Sequence, residues 1–179
     1  MKICFAGDLF LGGDLFNEPT NNVIDVNIFQ NADKRIVNPD QPISDNSTIK
    51  DKCTLYTGSF ATKQLNMMKI DAVCLAHNHI QDKGLSAIPE TIRHLATANI
   101  GNFGSGNKLS EAKIPYYIND NTAIFGYCEF AKPYLNQIEV AGEKTPGVNP
   151  LRYENIIDDL DNLQENQNAI LYFHWGREH

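Results

Sequence analysis

Between Asp71 and Gly84 the chain reads D-A-V-C-L-A-H-N-H-I-Q-D-K-G. His77, Asn78, His79 and Asp82 gather imidazole nitrogens, an amide carbonyl and a carboxylate within one short stretch. Such groups ligate metals or move protons. Two other stretches carry related chemistry: Gly7-Asp8 near the start, and H-W-G-R-E-H from His174 to His179. Four of the five histidines fall in these motifs and only His94 lies elsewhere, which points to a shared site more than to scattered surface imidazoles.

Aspartate oxygens, an asparagine carbonyl and imidazole nitrogen form a donor set of intermediate hardness, suited to Mn, Fe or Zn. Two such ions about 3.5–4 Å apart can clamp a phosphoryl group for in-line attack. A histidine beside an asparagine ligand is placed to stabilise the transition state or to protonate the leaving oxygen. The same residues also serve as ordinary polar loop groups or as satisfied, partly buried imidazoles, because ligand types without a fixed spacing do not specify a site.

The flanking patterns say what positions these groups. Val73 to Ala76 is a short apolar run of the kind found in a strand buried on both faces, and the His-Asn-His cluster follows where that strand ends. Lys2 to Ala6 is a compact β run leading into Gly7-Asp8, which either projects a carboxylate or is simply a turn. Lys34 to Val37 is a second strand, stopped by Pro39 and Pro42; Asp40 then sits just past it, as any loop aspartate would. A hairpin arm is expected around Cys53–Thr57, and a short helix over Phe60–Met68. Leu85 to Ala98 has amphipathic helical spacing, with Pro89 in the first turn. Ile100 to Gly106 reads as strand into glycine-rich loop, without the G-K-[ST] of a phosphate loop. Ile114–Ile118 and Thr122–Cys128 form a hairpin about Asn119-Asp120-Asn121, and Glu129 to Val148 is irregular. Leu151–Leu163 is a surface helix with Ile156, Ile157, Leu160 and Leu163 on one face and acids on the other; Ala169–Phe173 is a last strand, delivering His174. Strands ending in polar residues and separated by helices predict an α/β sheet with those residues on one edge, where open α/β sheets bind ligands.

A length of 179 residues fits one domain with a real core. Net charge −7 and a pI near 5.1, with no basic stripe, argue against a nucleic-acid binder. No apolar run spans a bilayer and no cleavage site follows the first residues, so a cytoplasmic location is expected. Cys4, Cys53, Cys74 and Cys128 form no C-x-x-C pair and read as buried free thiols.

Several strings together resemble the bacterial capsule and poly-γ-glutamate synthesis family (CapA-type), within the calcineurin-like metallophosphoesterase fold group. They are G-D-L-F-L-G at Gly7–Gly12, N-P-D-Q-P-I-S-D at Asn38–Asp45, A-H-N-H-I-Q-D-K-G at Ala76–Gly84, G-S-G-N with Glu111-Ala112, and H-W-G-R-E-H at His174–His179. The resemblance implies a metallophosphoesterase-like α/β sandwich with helices flanking a mixed sheet, and one domain over residues 1–179. It implies one or two divalent ions (Mn, Fe or Zn) held by Asp8, Asp40, Asn78 and His174, with His79 acting near the transition state. Asp82, Asn107 and Glu178 fall on motif positions read here as substrate contacts. The substrate class implied is an anionic polymer or phosphoester, and the reaction a metal-dependent hydrolysis linked to capsule or poly-γ-glutamate synthesis.

Three departures qualify the match. The family's Asn-Asn-His is His77-Asn78-His79 here, and its acidic Glu is Asp40, shorter by one methylene. Family members continue beyond the H-W-G-x-E motif to a further histidine element, whereas this chain stops at His179. The expectation is therefore an N-terminal portion, by truncation or gene decay, with an incomplete sheet whose unpaired edge favours self-association. That makes a non-catalytic binding or assembly module the alternative function. Stacking of a sugar or polymer on Trp175 and Tyr116/Tyr117 is a third reading, with core packing the other role for those rings.

Overall fold

The computed structural model describes residues 1–16, 24–46, 54–130 and 138–176. Its strands are β1 (Ile3–Asp8), β2 (Lys34–Asn38), β3 (Ala72–Cys74), β4 (Gly101–Phe103), β5 (Ser105–Gly106), β6 (Tyr116–Asn119), β7 (Thr122–Cys128), β8 (Gly147–Val148) and β9 (Asn168–His174). The helices are α1 (Asn27–Gln30), α2 (Ala61–Met67), α3 (Ala87–Thr97), α4 (Leu109–Ala112) and α5 (Tyr153–Asp161), with short 3-10 turns at Gly13–Phe16 and Asn78–Gln81.

The first four strands form a parallel sheet in sequential order, β1-β2-β3-β4. Parallel neighbours need crossovers, and right-handed crossovers between strands laid down in order place the connecting helices on one face. The opposite face needs another cover. A three-stranded sheet, β6-β7-β9, provides it, with β6 antiparallel and β9 parallel to β7. Phe5 meets Tyr172 at 6.1 Å between ring centroids, and Phe103 meets Tyr172 at 6.2 Å. The Tyr172 hydroxyl donates to the Ala6 carbonyl at 2.8 Å.

The alternation along β7 shows both faces at work. Ala123, Phe125 and Tyr127 pack with Leu151, Ile156, Leu163 and Leu171 around α5, while Ile124 and Cys128 join the main core with Ile36, Val73, Leu65 and Leu95. The period of two is what a doubly covered strand demands. The result is a layered α/β sandwich: helices, parallel sheet, mixed sheet, helix. Where the sheets come closest, Gly126 has no room for a side chain, since a Cβ there would stand 2.9 Å from Cys74 Sγ and 3.1 Å from Gly104 Cα. Gly104 itself takes φ +86°, a conformation suited to glycine.

Several local expectations need correction. The hairpin arm around Cys53–Thr57 is not formed among the described residues: Thr57 makes a single parallel bridge to Ile43, and Cys53 lies outside them. The irregular 129–148 segment ends in β8, which pairs antiparallel with β5, and α4 was not foreseen. The acids of α5 do not all face water. Asp159 is 5% exposed, accepting from the Tyr127 hydroxyl at 2.8 Å with Lys113 Nζ at 3.1 Å. Trp175 is not a core residue, being 74% exposed, and Tyr117 is exposed too. Cys74 and Cys128 are buried free thiols, and Cys4 is partly exposed. No helix among the described residues is long and apolar enough to cross a membrane.

Candidate metal centre

The carboxyl ends of both sheets meet at one place. Asp8 closes β1 and lies in register with Asn38, the last residue of β2. Partners in a parallel pair present their side chains to the same face, and Asn38 Nδ2 donates to Asp8 Oδ1 at 2.6 Å. Asp40 follows on the loop that Pro39 and Pro42 keep out of regular structure. His174 arrives from the other sheet at the end of β9. Its position is fixed by the pairing of β9 with β7 and by the Glu129 amide, which donates to the His174 carbonyl at 3.0 Å. Ligand atoms of Asp8, Asp40 and His174 all lie within 4.8 Å of one another.

The hydrogen bonds assign a tautomer to His174. Its Nε2 lies 2.8 Å from Asn78 Oδ1, an oxygen that can only accept, so Nε2 carries the proton. Nδ1 is then the acceptor for Asn38 Nδ2 at 3.1 Å. The lone pair of His174 and one oxygen of Asp8 are therefore held by the same amide. Three of the four expected metal residues come together directly, and Asn78 joins them through His174.

The 3-10 turn at Asn78–Gln81 accounts for the next pair. With three residues per turn, positions i and i+3 share one side, and His79 Nδ1 lies 2.7 Å from Asp82 Oδ2. The same carboxylate oxygen accepts from the Leu55 amide at 2.8 Å. Asp82 thus orients His79. Asn107 sits elsewhere: its backbone and side-chain amides donate to Glu111 Oε2 at 3.1 and 2.8 Å across the start of α4. Among the described residues no hydrogen bond ties it to the cluster. Glu178 and His179 lie outside the described residues.

Asp8 opens the site to solvent at 59% side-chain exposure, while Asp40 and His174 are at 17% and 23%. The floor is buried. His77 is fully buried, and burial, then the His174 and His79 imidazoles, hold its pKa well below the ordinary histidine value. Burial lifts the Cys74 thiol to about 12, and burial with Cys74 and Asp40 raises Cys128 further still. The ligand-type groups that converge here are the carboxylates of Asp8 and Asp40 and the imidazole of His174, so the donors are oxygen and nitrogen.

The residues present fit a divalent ion. Two carboxylates converge in a protein of net charge −7, and Asn38 Oδ1 and both ring nitrogens of His77 are buried without a hydrogen-bond partner. Buried polar groups are rarely left so. Sequence reasoning gave Asn38 no role, and named His77 among the ligand-type residues without placing it in the metal set. The register of two parallel strand ends was the available signal for Asn38; for His77, nothing local distinguished a buried ring from a loop one. A second group, Asp45, Glu90 and His94, also brings ligand-type atoms within 4.8 Å; its carboxylates are engaged by Ser44 Oγ, the Asp45 amide and the Ser59 amide.

Comparison with known proteins places the whole chain in one family. A family model described as bacterial capsule synthesis protein PGA_cap matches residues 2–179. A protein of Bacillus subtilis (strain 168) named PGA biosynthesis protein CapA is 27% identical over 160 residues, covering 85% of this chain and 41% of that protein. The chain thus spans about two-fifths of the length of this curated relative.

Proposed function

Since the chain belongs to the bacterial capsule synthesis protein PGA_cap family, we propose that it is a metal-dependent hydrolase of the metallophosphoesterase type, acting in capsule or poly-γ-glutamate synthesis. The observation that carries this reading is the convergence of Asp8, Asp40 and His174 within 4.8 Å, at strand ends that are far apart in sequence. Asp8, Asp40, His174 and Asn78 would hold Mn, Fe or Zn as one or two ions. A divalent ion bound there supplies Lewis-acid stabilisation of charge developing on a phosphoryl oxygen. Without cations, the paired aspartates would repel an anionic polymer or phosphoester.

His79 is the proton donor in this reading. Asp82 holds its Nδ1 side at 2.7 Å, which fixes the ring, and Nε2 is the atom that would exchange a proton with the leaving oxygen. Titration of the wild-type chain and Asn78→Ala with Mn²⁺ or Zn²⁺ by calorimetry tests it: uptake by the first, weakened in the second, is expected. A folded wild type that takes up neither metal removes the reading.

One observation favours a second reading, a binding or assembly module. Asn38 and Asn78 already satisfy both ring nitrogens of His174, so this imidazole is held in place without an ion. Hydrolysis of bis-p-nitrophenyl phosphate that His79→Ala abolishes would exclude the module.

A further inference from the structure

His77 follows Leu75 and Ala76 past the end of β3 and is fully shielded from water. Neither of its ring nitrogens has a hydrogen-bond partner. Leaving a buried polar group unsatisfied costs about 1–3 kcal/mol, so packing alone is a poor reason for an imidazole here. Its Nδ1 lies 3.6 Å from Asp40 Oδ1. That is too long for a hydrogen bond, yet close to the ~3.4 Å that separates two donors on one tetrahedral ion with bonds of roughly 2.0–2.2 Å. The ring stands edge-on to His174, with centroids 6.3 Å apart. Asp40 therefore faces His77 as well as the Asp8–His174 pair.

We propose that His77 is an additional metal ligand of this site, binding through Nδ1 an ion whose other donor is Asp40. The inference rests on the metal-dependent reading above and adds a donor to which the family resemblance assigns no role, since the family has asparagine at this position. Burial keeps the ring neutral, the form that ligates. An extra imidazole shifts the donor set toward Zn²⁺ and Co²⁺ and away from Mn²⁺ and Mg²⁺.

The test uses the full 179-residue chain. Wild type, His77→Gln and His77→Asn are titrated with Zn²⁺ and Mn²⁺ by calorimetry, and the visible absorption of the Co²⁺ forms is recorded. Circular dichroism checks folding. Loss of the ligand is expected to weaken Zn²⁺ binding about tenfold or more, to change the Co²⁺ spectrum, and to affect Mn²⁺ less. A measurement on wild type avoids any folding defect: with ¹⁵N-labelled histidine and ¹¹³Cd²⁺, a one-bond coupling to His77 Nδ1 is expected. Wild-type Zn²⁺ binding that both variants match, with an unchanged Co²⁺ spectrum, overturns the role of His77, as does absence of that coupling; either leaves the metal-dependent reading standing. Failure of the wild type to bind any of these ions overturns both.

Discussion

His174 and Asn78 stand 96 positions apart in the chain, and the Nε2 of one lies 2.8 Å from the Oδ1 of the other. The contact joins the end of β9 in the mixed sheet to the turn after β3 in the parallel sheet. It orients the imidazole so that Nδ1 faces Asn38 and, at 3.8 Å, Asp8. Metal loading at this nitrogen requires the Asn38 amide to give way, so site chemistry and local stability are linked.

Asn38→Asp tests that linkage. The substitution replaces a donor with a carboxylate where Asp8 Oδ1 stands 2.6 Å away. In chelator the variant should lose about 1.5–3 kcal/mol in urea denaturation, the range for a lost bond to a charged group. Its stabilisation by added Zn²⁺ should exceed that of wild type, because the extra charge favours the cation. Equal stability in chelator would show that the amide bridge contributes nothing.

Asp82→Asn separates positioning from binding. The carboxylate holds His79 Nδ1 and the Leu55 amide, and no hydrogen bond links it to Asp8 or Asp40 among the described residues. Steady-state hydrolysis of bis-p-nitrophenyl phosphate should show kcat reduced about 10–100-fold, the range for losing a group that orients a site residue. KM and metal affinity should change little. A kcat equal to wild type would remove His79 orientation from the account.

Gly126→Ala probes the contact between the sheets. The added methyl would meet the Cys74 sulfur at 2.9 Å and the Phe103 ring at 3.0 Å. Overpacking of this kind costs about 1–3 kcal/mol, read as a lower midpoint in thermal or urea unfolding. A stability equal to wild type would mean that the sheets separate freely at this point.

Tyr127→Phe tests the anchor of α5. The hydroxyl is the donor to the buried Asp159 carboxylate at 2.8 Å. Its removal leaves Lys113 as the remaining partner at 3.1 Å and should destabilise by about 1–3 kcal/mol. Denaturant titration reads the change, and a neutral result would argue that Lys113 alone satisfies the carboxylate.

The acid limb of stability should depend on Glu90. Burial opposes its charge, but Ser44 Oγ, the Asp45 amide and His94 outweigh that and hold its pKa below the ordinary 4.5. Because the folded value is depressed, the contribution is fully present above pH 4.5 and lost as pH falls through the folded value. Ser44→Ala removes the hydroxyl donor 2.5 Å from Glu90 Oε2. The variant should be less stable than wild type above pH 4.5 and lose less stability below it; parallel curves would count against the assignment.

Local pattern carried much of the fold. The helical spacing of Leu85–Ala98 became α3 with Pro89 in its first turn, and the hairpin about Asn119–Asn121 became β6–β7. Asp8, Asp40, the His77–His79 cluster and His174 were legible as polar groups at strand ends, because a strand that stops is a local event. The capsule-synthesis family was legible too, from strings spread along the chain.

What the sequence by itself determined is which residues lie at the ends of strands and which faces of the helices are apolar, since periods of 2 and 3.6 are written in neighbouring residues. Only the tertiary structure decided that the strands divide into a parallel sheet, a mixed sheet with β9 parallel to β7 and the small β5–β8 pair, and that His174 meets Asn38 and Asn78. It alone placed His77 in the buried floor, turned Asp159 inward to Tyr127 and left Trp175 in solvent. Each of these depends on a partner many tens of residues away, and burial is set by what the rest of the chain packs on top. A short stretch of sequence holds no record of that.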